Sequence, residues 1–161
     1  MLPAFELAAP QSPEDRAYLG LTDTDAFSVS DIRAKVVIIE VFSMYCPYCQ
    51  REAPAVNSLY EKIQADAALR KKIKIIGIGA GNSPFEVGIF KKKYDVPFPL
   101  FPDNRFTIHK CLGEVRTPYF FAVKLTGDRS HVIVYSKLGG LKDPDDFLKS
   151  LIELTDLSKG D

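Results

Sequence analysis

The chain has 161 residues, 46% of them apolar, and its 21 basic residues balance its 21 acidic ones. This length and apolar content predict a single domain, residues 1–161, with one hydrophobic core. The balanced charge excludes a basic surface for nucleic acid or an anionic membrane. Three cysteines are too few for a disulfide-stapled secreted scaffold.

Residues 1–35 predict little regular structure. Short extended pieces are expected near residues 5–7 and 27–29, separated by an irregular stretch with prolines and acidic turn residues. No run is long enough to span a membrane, and the N-terminus lacks the basic region and apolar segment of a signal peptide. We therefore expect either a cytosolic protein or a chain that starts after a removed leader.

Regular elements follow from residue 36 onwards. Residues 36–42 form a β-branched apolar run, typical of a central strand covered on both faces. Apolar residues at three- and four-residue steps predict a helix over residues 47–64, and residues 73–79 predict a second buried strand. Ser83 followed by proline predicts the start of a helix that runs to about Tyr94.

The second half predicts an extended segment over residues 97–100 and a short helix over 103–110. A strand over residues 119–125 and a partner over 131–135 form a hairpin. An amphipathic helix is expected over residues 143–155. This order of elements predicts an α/β fold with a mixed sheet and helices on both faces.

The motif Cys46-Pro47-Tyr48-Cys49 stands at a strand-to-helix junction. Free N–H groups and the helix dipole stabilise an anion there, so Cys46 is the expected nucleophilic thiolate. Cys49 lies one helical turn further along and is expected to be the shielded, resolving thiol. Pro47 costs no hydrogen bond at the first turn and stiffens the loop.

The same pattern is also half of a zinc site, which needs a second pair of Cys or His ligands. The chain has only His109, Cys111 and His131 left to offer, and the first two have an unusual spacing for a zinc clamp. We therefore favour redox chemistry and expect neither a metal nor another cofactor. Cys111 is expected to be a small buried apolar residue, with a third redox thiol as the alternative.

The chain resembles the thioredoxin superfamily, in particular the TlpA/ResA-like thiol-disulfide oxidoreductases. The resemblance rests on the strand leading into the two cysteines, on Glu52 and Pro54 shortly after them, and on the later dipeptide Thr117-Pro118 ahead of a strand. It implies a thioredoxin-like fold, a central mixed β-sheet flanked by helices on both faces. It also implies thiol-disulfide exchange through the Cys46/Cys49 pair, most often as a reductase.

The resemblance further implies how a substrate binds. Pro118 is expected to be cis and to lie against the cysteine pair, and the backbone at Thr117 is expected to pair with a substrate strand. Tyr45 stands where many relatives have tryptophan. With Pro47 and Tyr48, it completes the predicted substrate-binding set.

Two carboxylates compete for the role of proton carrier. Glu40 lies within an apolar strand, where burial raises a carboxyl pKa and lets it exchange a proton with Cys49. Glu52 lies three residues beyond Cys49 and is the second candidate. Solvent exposure of either residue is the structural alternative.

The family resemblance implies protein thiol and disulfide substrates and an upstream redox partner protein. It also implies export, as in periplasmic relatives, often with a membrane tether outside this chain; a cytoplasmic location is the alternative. Nucleic acid is not an expected partner, because the charge is balanced. A nucleotide is not expected either, because the glycines at 77, 79 and 81 fail the dinucleotide fingerprint at Asn82.

Two other functions remain open. A peroxiredoxin-like thiol peroxidase is favoured by Ser43, three residues before Cys46, and by Arg116 as a stabiliser of the thiolate. Ile39 speaks against it, since it occupies the place of the proline in the peroxidatic motif. A non-catalytic thioredoxin-fold binding module is the second alternative, and retention of both cysteines argues against it.

Overall fold

The structure, a computed structural model, describes residues 2–157, which form a five-stranded mixed sheet, a two-stranded sheet and six α-helices. The strands are β1 (Leu7–Ala8), β2 (Ala26–Phe27), β3 (Val36–Phe42), β4 (Ile73–Ala80), β5 (Leu100–Asp103), β6 (Tyr119–Leu125) and β7 (His131–Leu138). The helices are α1 (Pro13–Leu19), α2 (Pro47–Gln64), α3 (Leu69–Lys72), α4 (Pro84–Lys93), α5 (Thr107–Cys111) and α6 (Pro144–Thr155).

The large sheet has the strand order β5-β4-β3-β6-β7. Its central strand β3 pairs parallel with β4 and antiparallel with β6, and every residue of β3 is buried. Because β3 and β4 are parallel, their carboxyl ends meet at the same edge of the sheet. The loops that leave these two ends therefore lie side by side, and α2 starts from one of them.

The pleat of β3 sends alternate side chains into two separate cores. The core beneath α2 contains Val36, Ile38 and Phe42, and the opposite core contains Val37, Ile39 and Val41. Glu40 has the register of the first set and so points to the face that α2 covers. Cys49 and Ala53 of α2 belong to that same core.

The N-terminal segment contains a helix where the sequence predicted an irregular stretch. Ser12 caps α1, with its Oγ accepting from the N–H of Asp15 at 3.2 Å, and Pro13 occupies the first turn. Gly20 ends the helix with a φ of 67°. Both capping signals are present in the sequence. The short helix buries Leu19 against the core opposite α2.

The prediction for residues 97–110 was correct in kind and wrong in its boundaries. Strand β5 begins at Leu100 and ends at Asp103, and α5 begins only at Thr107. The reason is that the Asp103 carboxylate accepts the N–H groups of Ile108 and His109 at 3.0 and 2.8 Å, as a capping group ahead of the helix.

Strand β7 is longer than the predicted 131–135. It continues to Leu138, which pairs with Tyr119 at the start of β6. The hairpin thereby carries the chain to the carboxyl-end edge of β3. Helix α3 was not predicted, whereas β3, α2 and β6 have the bounds that the sequence predicted.

Candidate active site

Cys46 is the N-cap residue of α2. Its backbone is extended, with φ −86° and ψ 113°, and its Sγ accepts a hydrogen bond from the N–H of Cys49 at 3.2 Å. The sulfur thus occupies the position that a capping serine or aspartate oxygen takes in other helices. Pro47 follows as the first helical residue, where its missing N–H leaves no hydrogen bond unmade.

The loop ahead of β6 covers Cys46 from the other side. The Thr117–Pro118 peptide bond is cis, and the Cys46 thiol lies 3.5 Å from the Thr117 carbonyl oxygen, to which it donates. Pro118 is buried, and its carbonyl accepts from the N–H of Gly139 at 2.8 Å. Since the strand pairing of β6 starts at Tyr119, the backbone at Thr117 lies beyond the ladder.

The two thiols titrate in opposite directions. Partial burial alone raises the pKa of Cys46, but hydrogen bonds from the Cys49 thiol, the Thr117 side chain and backbone N–H groups outweigh it and lower this pKa below its ordinary value. Burial raises the pKa of Cys49, and the hydrogen bond to Cys46 and the charge of Glu40 raise it further. Both cysteines are free thiols in this structure.

Glu40 is buried, with 4% of its surface exposed. Burial, followed by the negative charge of Glu52, raises the Glu40 pKa to about 8. Glu40 lies on the α2 side of β3 and acts electrostatically on Cys49. The Glu40 carboxyl therefore influences the buried thiol of Cys49 and not the more exposed thiol of Cys46.

Glu52 is half-buried on α2 and contacts the loop between β7 and α6. Its Oε1 accepts from the N–H of Leu141 at 2.6 Å. Its carboxylate packs so closely on Gly140 that a Cβ at that position has no room. Glu52 therefore ties the active-site helix to this loop, in addition to influencing Glu40 through its charge.

Two aromatic side chains near Cys46 face solvent. Tyr45 is 68% exposed and its hydroxyl donates to the Glu86 carboxylate, which also caps α4. Tyr48 is 67% exposed, and the Arg51 guanidinium lies 4.5 Å from the centre of its ring. The predicted substrate-binding tyrosines therefore form exposed aromatic surface on either side of Cys46 in the chain.

Asn82 supports the active-site loop, a role that the sequence analysis missed. Its side chain is 1% exposed, its Oδ1 accepts from the N–H of Met44 at 2.9 Å, and its Nδ2 donates to Ser43 Oγ at 3.5 Å. These contacts hold the residues just before Cys46. The available signal was a polar residue directly after a buried parallel strand, since such residues lie at the same sheet edge as the end of β3.

Two grooves flank Thr117, and Arg116 lines both. The first has a volume of about 370 Å³ and is lined by residues that include Tyr48, Arg51, Glu52 and Leu138. The second has a volume of about 460 Å³ and is lined by residues that include Ser43, Tyr45, Asn82 and Phe106. A chain lying across Thr117 would extend from one groove into the other.

Cys111 is exposed on α5, so the prediction of a buried apolar residue was wrong. The short helix presents Ile108 and not Cys111 to the core. Within residues 2–157, no three His, Cys, Asp or Glu side chains are arranged to hold a metal ion. The helices in that range are all too short or too polar to cross a membrane.

Known proteins with similar sequences or folds have names that describe thiol-disulfide chemistry. The chain is 29% identical over 99 residues to the thiol-disulfide oxidoreductase ResA of Bacillus thuringiensis subsp. konkukian, covering 62% of this chain and 54% of ResA. The chain thus spans about half the length of this relative. The predicted resemblance to ResA-like proteins of the thioredoxin superfamily is confirmed.

Solved structures share the fold at low sequence identity. StoA from Bacillus subtilis superposes with a TM-score of 0.62 at 18% identity, over 99% of this chain and 98% of StoA. A secreted disulfide oxidoreductase from Mycobacterium tuberculosis gives 0.61 at 16% identity, over 94% of each chain. The predicted thioredoxin-like fold is confirmed. The AhpC/TSA family profile matches residues 2–138, so this protein belongs to the AhpC/TSA family.

Proposed function

We propose that this protein is a thiol-disulfide oxidoreductase that reduces disulfides of protein substrates. The observation that carries the proposal is the separation of the two thiols at the tip of α2. Cys46 has a lowered pKa and hydrogen-bond donors aimed at its sulfur, whereas Cys49 is buried with a raised pKa. One thiol is thereby prepared to attack, and the other is protected until it is needed.

The reaction proceeds in two exchanges. The Cys46 thiolate attacks one sulfur of the substrate disulfide, forms a mixed disulfide with it and expels the other sulfur as a thiolate that takes up a proton. Cys49 then loses its proton, attacks the Cys46 sulfur and releases the second substrate thiolate. The substrate gains two electrons, and the protein is left with a Cys46–Cys49 disulfide.

Glu40 is the proposed acceptor of the Cys49 proton. Its position beneath α2 and its raised pKa suit it to take this proton during resolution and to return it when the pair is reduced again. Glu52 assists by keeping the Glu40 pKa high and by holding the loop at Leu141. The division of labour assigns proton transfer to Glu40 and positioning to Glu52.

Substrate binding is assigned to the surface around Cys46. The Thr117 backbone, which lies beyond the strand ladder next to Pro118, is proposed to pair with an extended substrate segment and to place its disulfide against Cys46. Tyr45, Pro47 and Tyr48 provide exposed surface for that segment. The proposed substrates are protein disulfides, and an upstream dithiol protein regenerates the reduced pair.

The protein is proposed to act outside the cytoplasm and to be attached to a membrane through a segment beyond this chain. The support is the similarity to ResA and to a mycobacterial protein described as secreted. An exported reductase needs the upstream redox partner for each turnover, because the oxidised pair must receive two electrons.

Trapping tests the proposed function. The Cys49→Ser variant should accumulate a mixed disulfide between Cys46 and substrate, because nothing resolves it, whereas Cys46→Ser should be inactive. Both variants are prepared with Cys111→Ser, and the adduct is located by peptide mass spectrometry. Normal turnover by Cys49→Ser would contradict the proposal. If the Cys49→Ser variant reduced hydrogen peroxide with full activity, that result would favour the peroxidase alternative.

A further inference from the structure

The groove between α2 and the β7–α6 loop provides side-chain contacts for a substrate in addition to backbone pairing. It has a volume of about 370 Å³ and adjoins the reactive sulfur, because Thr117 lines it and lies 3.5 Å from Cys46 Sγ. Its apolar side chains include Tyr48 and Leu138, which are 67% and 49% exposed. A bound segment thus covers apolar surface that otherwise faces water.

The groove carries a local excess of positive charge. Arg51 and Arg116 both line it and are exposed, and within residues 2–157 neither forms an ion pair. The contact of Arg51 with the Tyr48 ring leaves its charge uncompensated. Since the whole chain carries balanced charge, this excess is a property of the groove and not of the surface in general.

Glu52 does not cancel the two arginines. It is the acidic residue that lines this groove, and its carboxylate is engaged by the Leu141 N–H and packed on Gly140. An N–H donor leaves the carboxylate charge in place, so Glu52 offsets one of the two cations and the groove keeps a net positive charge. A ligand with free carboxylates complements this arrangement, and a basic one is repelled.

The positions of the two arginines in the chain indicate how far their charges lie from the attacked disulfide. Arg51 is five positions beyond Cys46 on α2, about 7.5 Å along the helix axis. An extended peptide covers that distance in about two residues. Arg116 directly precedes Thr117, where the substrate backbone is expected to pair. An acidic side chain about two residues from the substrate cysteine is therefore within reach of the groove that Arg51 and Arg116 line.

We propose that this groove selects protein disulfides whose attacked cysteine is flanked by aspartate or glutamate in an extended segment. The inference rests on the proposed function and adds the substrate class to it. Attraction of its carboxylates to Arg51 and Arg116 steers the segment, while Tyr48 and Leu138 contact its apolar side chains.

The test compares two synthetic peptides that differ only in charge. Each has a single cysteine in a mixed disulfide with a chromogenic thiol, and the residues two positions to either side are Asp in one peptide and Asn in the other. The fully reduced Cys111→Ser protein is mixed with each peptide, and the second-order rate of chromophore release is measured. We expect the Asp peptide to react about tenfold faster at low salt, and the ratio to fall as salt is added.

Arg51→Gln and Arg116→Gln should each lower the ratio of the two rates by about threefold. Arg70→Gln is the matched control, because Arg70 is exposed on α3 at the opposite end of the sheet and should leave the ratio unchanged. Equal rates for the two peptides, or a ratio that both groove variants preserve, would overturn the charge selection alone. Failure of both peptides to react would overturn the proposed function together with it.

Discussion

The tip of α2 and the buried surface just beneath it shift the pKa of a cysteine thiol in opposite directions. At the tip, Cys46 is half-exposed and receives hydrogen bonds that lower its pKa. Three residues further, Cys49 is fully buried next to the charge of Glu40, and its pKa is raised. The difference shows that the acidity of each thiol is set by its place in the fold and not by the motif alone.

The two regions also differ in what holds them. The tip is an assembly of loops, supported by Asn82 below and by the segment containing Thr117 above. The buried region is a strand and a helix face, where Glu40 is an ionisable group among apolar neighbours. We therefore expect substitutions in the buried region to change stability most, and substitutions at the tip to change mainly the reactivity of Cys46.

Glu40→Gln should have the largest effect on stability. In the wild type the carboxyl pKa rises from 4.5 to about 8 on folding, so the unfolded state releases its proton at lower pH than the folded state. The contribution of Glu40 to stability is therefore fully present below about pH 4.5 and is lost as the pH rises towards 8. This loss is on the order of 4 kcal/mol. The variant should not show it, and urea unfolding of the reduced proteins across this range measures the difference.

The matched control is Glu153→Gln, which removes an exposed carboxylate of α6. It should keep the wild-type pH dependence. If Glu40→Gln loses stability between pH 4.5 and 8 as steeply as the wild type, Glu40 is not the buried acid described here. The same variant should also resolve mixed disulfides more slowly, because Cys49 loses its proton acceptor.

Asn82→Ala should destabilise the protein by about 1–3 kcal/mol, since it removes a buried side chain and leaves the partly buried Met44 N–H without its acceptor. It should also raise the pKa of Cys46, because the loop ahead of the helix is less firmly held. Alkylation rate against pH measures that pKa. Asn104→Ala, at an exposed turn residue, is the control and should change neither quantity.

Glu52→Gln should cost about 1 kcal/mol, because the amide oxygen accepts the Leu141 N–H less strongly than the carboxylate does. Removing its charge should also lower the Glu40 pKa, since Glu52 helps to raise it. The loss of stability with rising pH should then be smaller and level off at lower pH than in the wild type. An unchanged pH profile would show that Glu52 does not influence the Glu40 pKa and that its only role is the contact with the Leu141 loop.

Tyr45→Phe should have the smallest effect. The phenol is 68% exposed, and its hydrogen bond to Glu86 competes with water. We expect the unfolding free energy to be unchanged within error. A clear loss of stability would show that this contact holds the tip of α2 to α4 more firmly than its exposure indicates.

The sequence predicted the buried region better than the tip. The apolar run of β3 and the spacing of apolar residues in α2 determine both elements locally, and their predicted bounds match the structure. The position of Glu40 on the α2 face follows from the alternation in a strand. The role of Asn82 and the contact of Glu52 with Leu141 were not predictable in this way, because each joins segments that are distant in the chain.

Shorter elements show the same limit. Helix α1 carried clear capping signals at Ser12 and Gly20, but its seven residues give little periodicity to recognise. The burial of Cys111 was predicted from the usual behaviour of free cysteines. It failed because the orientation of the short helix α5 is set by the contacts of Asp103 and not by its own pattern.

Site-resolved alkylation of the reduced protein tests the central claim most directly. The Cys111→Ser protein is treated with iodoacetamide across a range of pH, and modification of Cys46 and Cys49 is quantified separately by mass spectrometry. We expect Cys46 to react with a midpoint below that of a reference peptide thiol, and Cys49 to resist modification throughout, as their shifted pKa values and burial require. Equal midpoints for the two thiols, or earlier reaction of Cys49, would contradict the account.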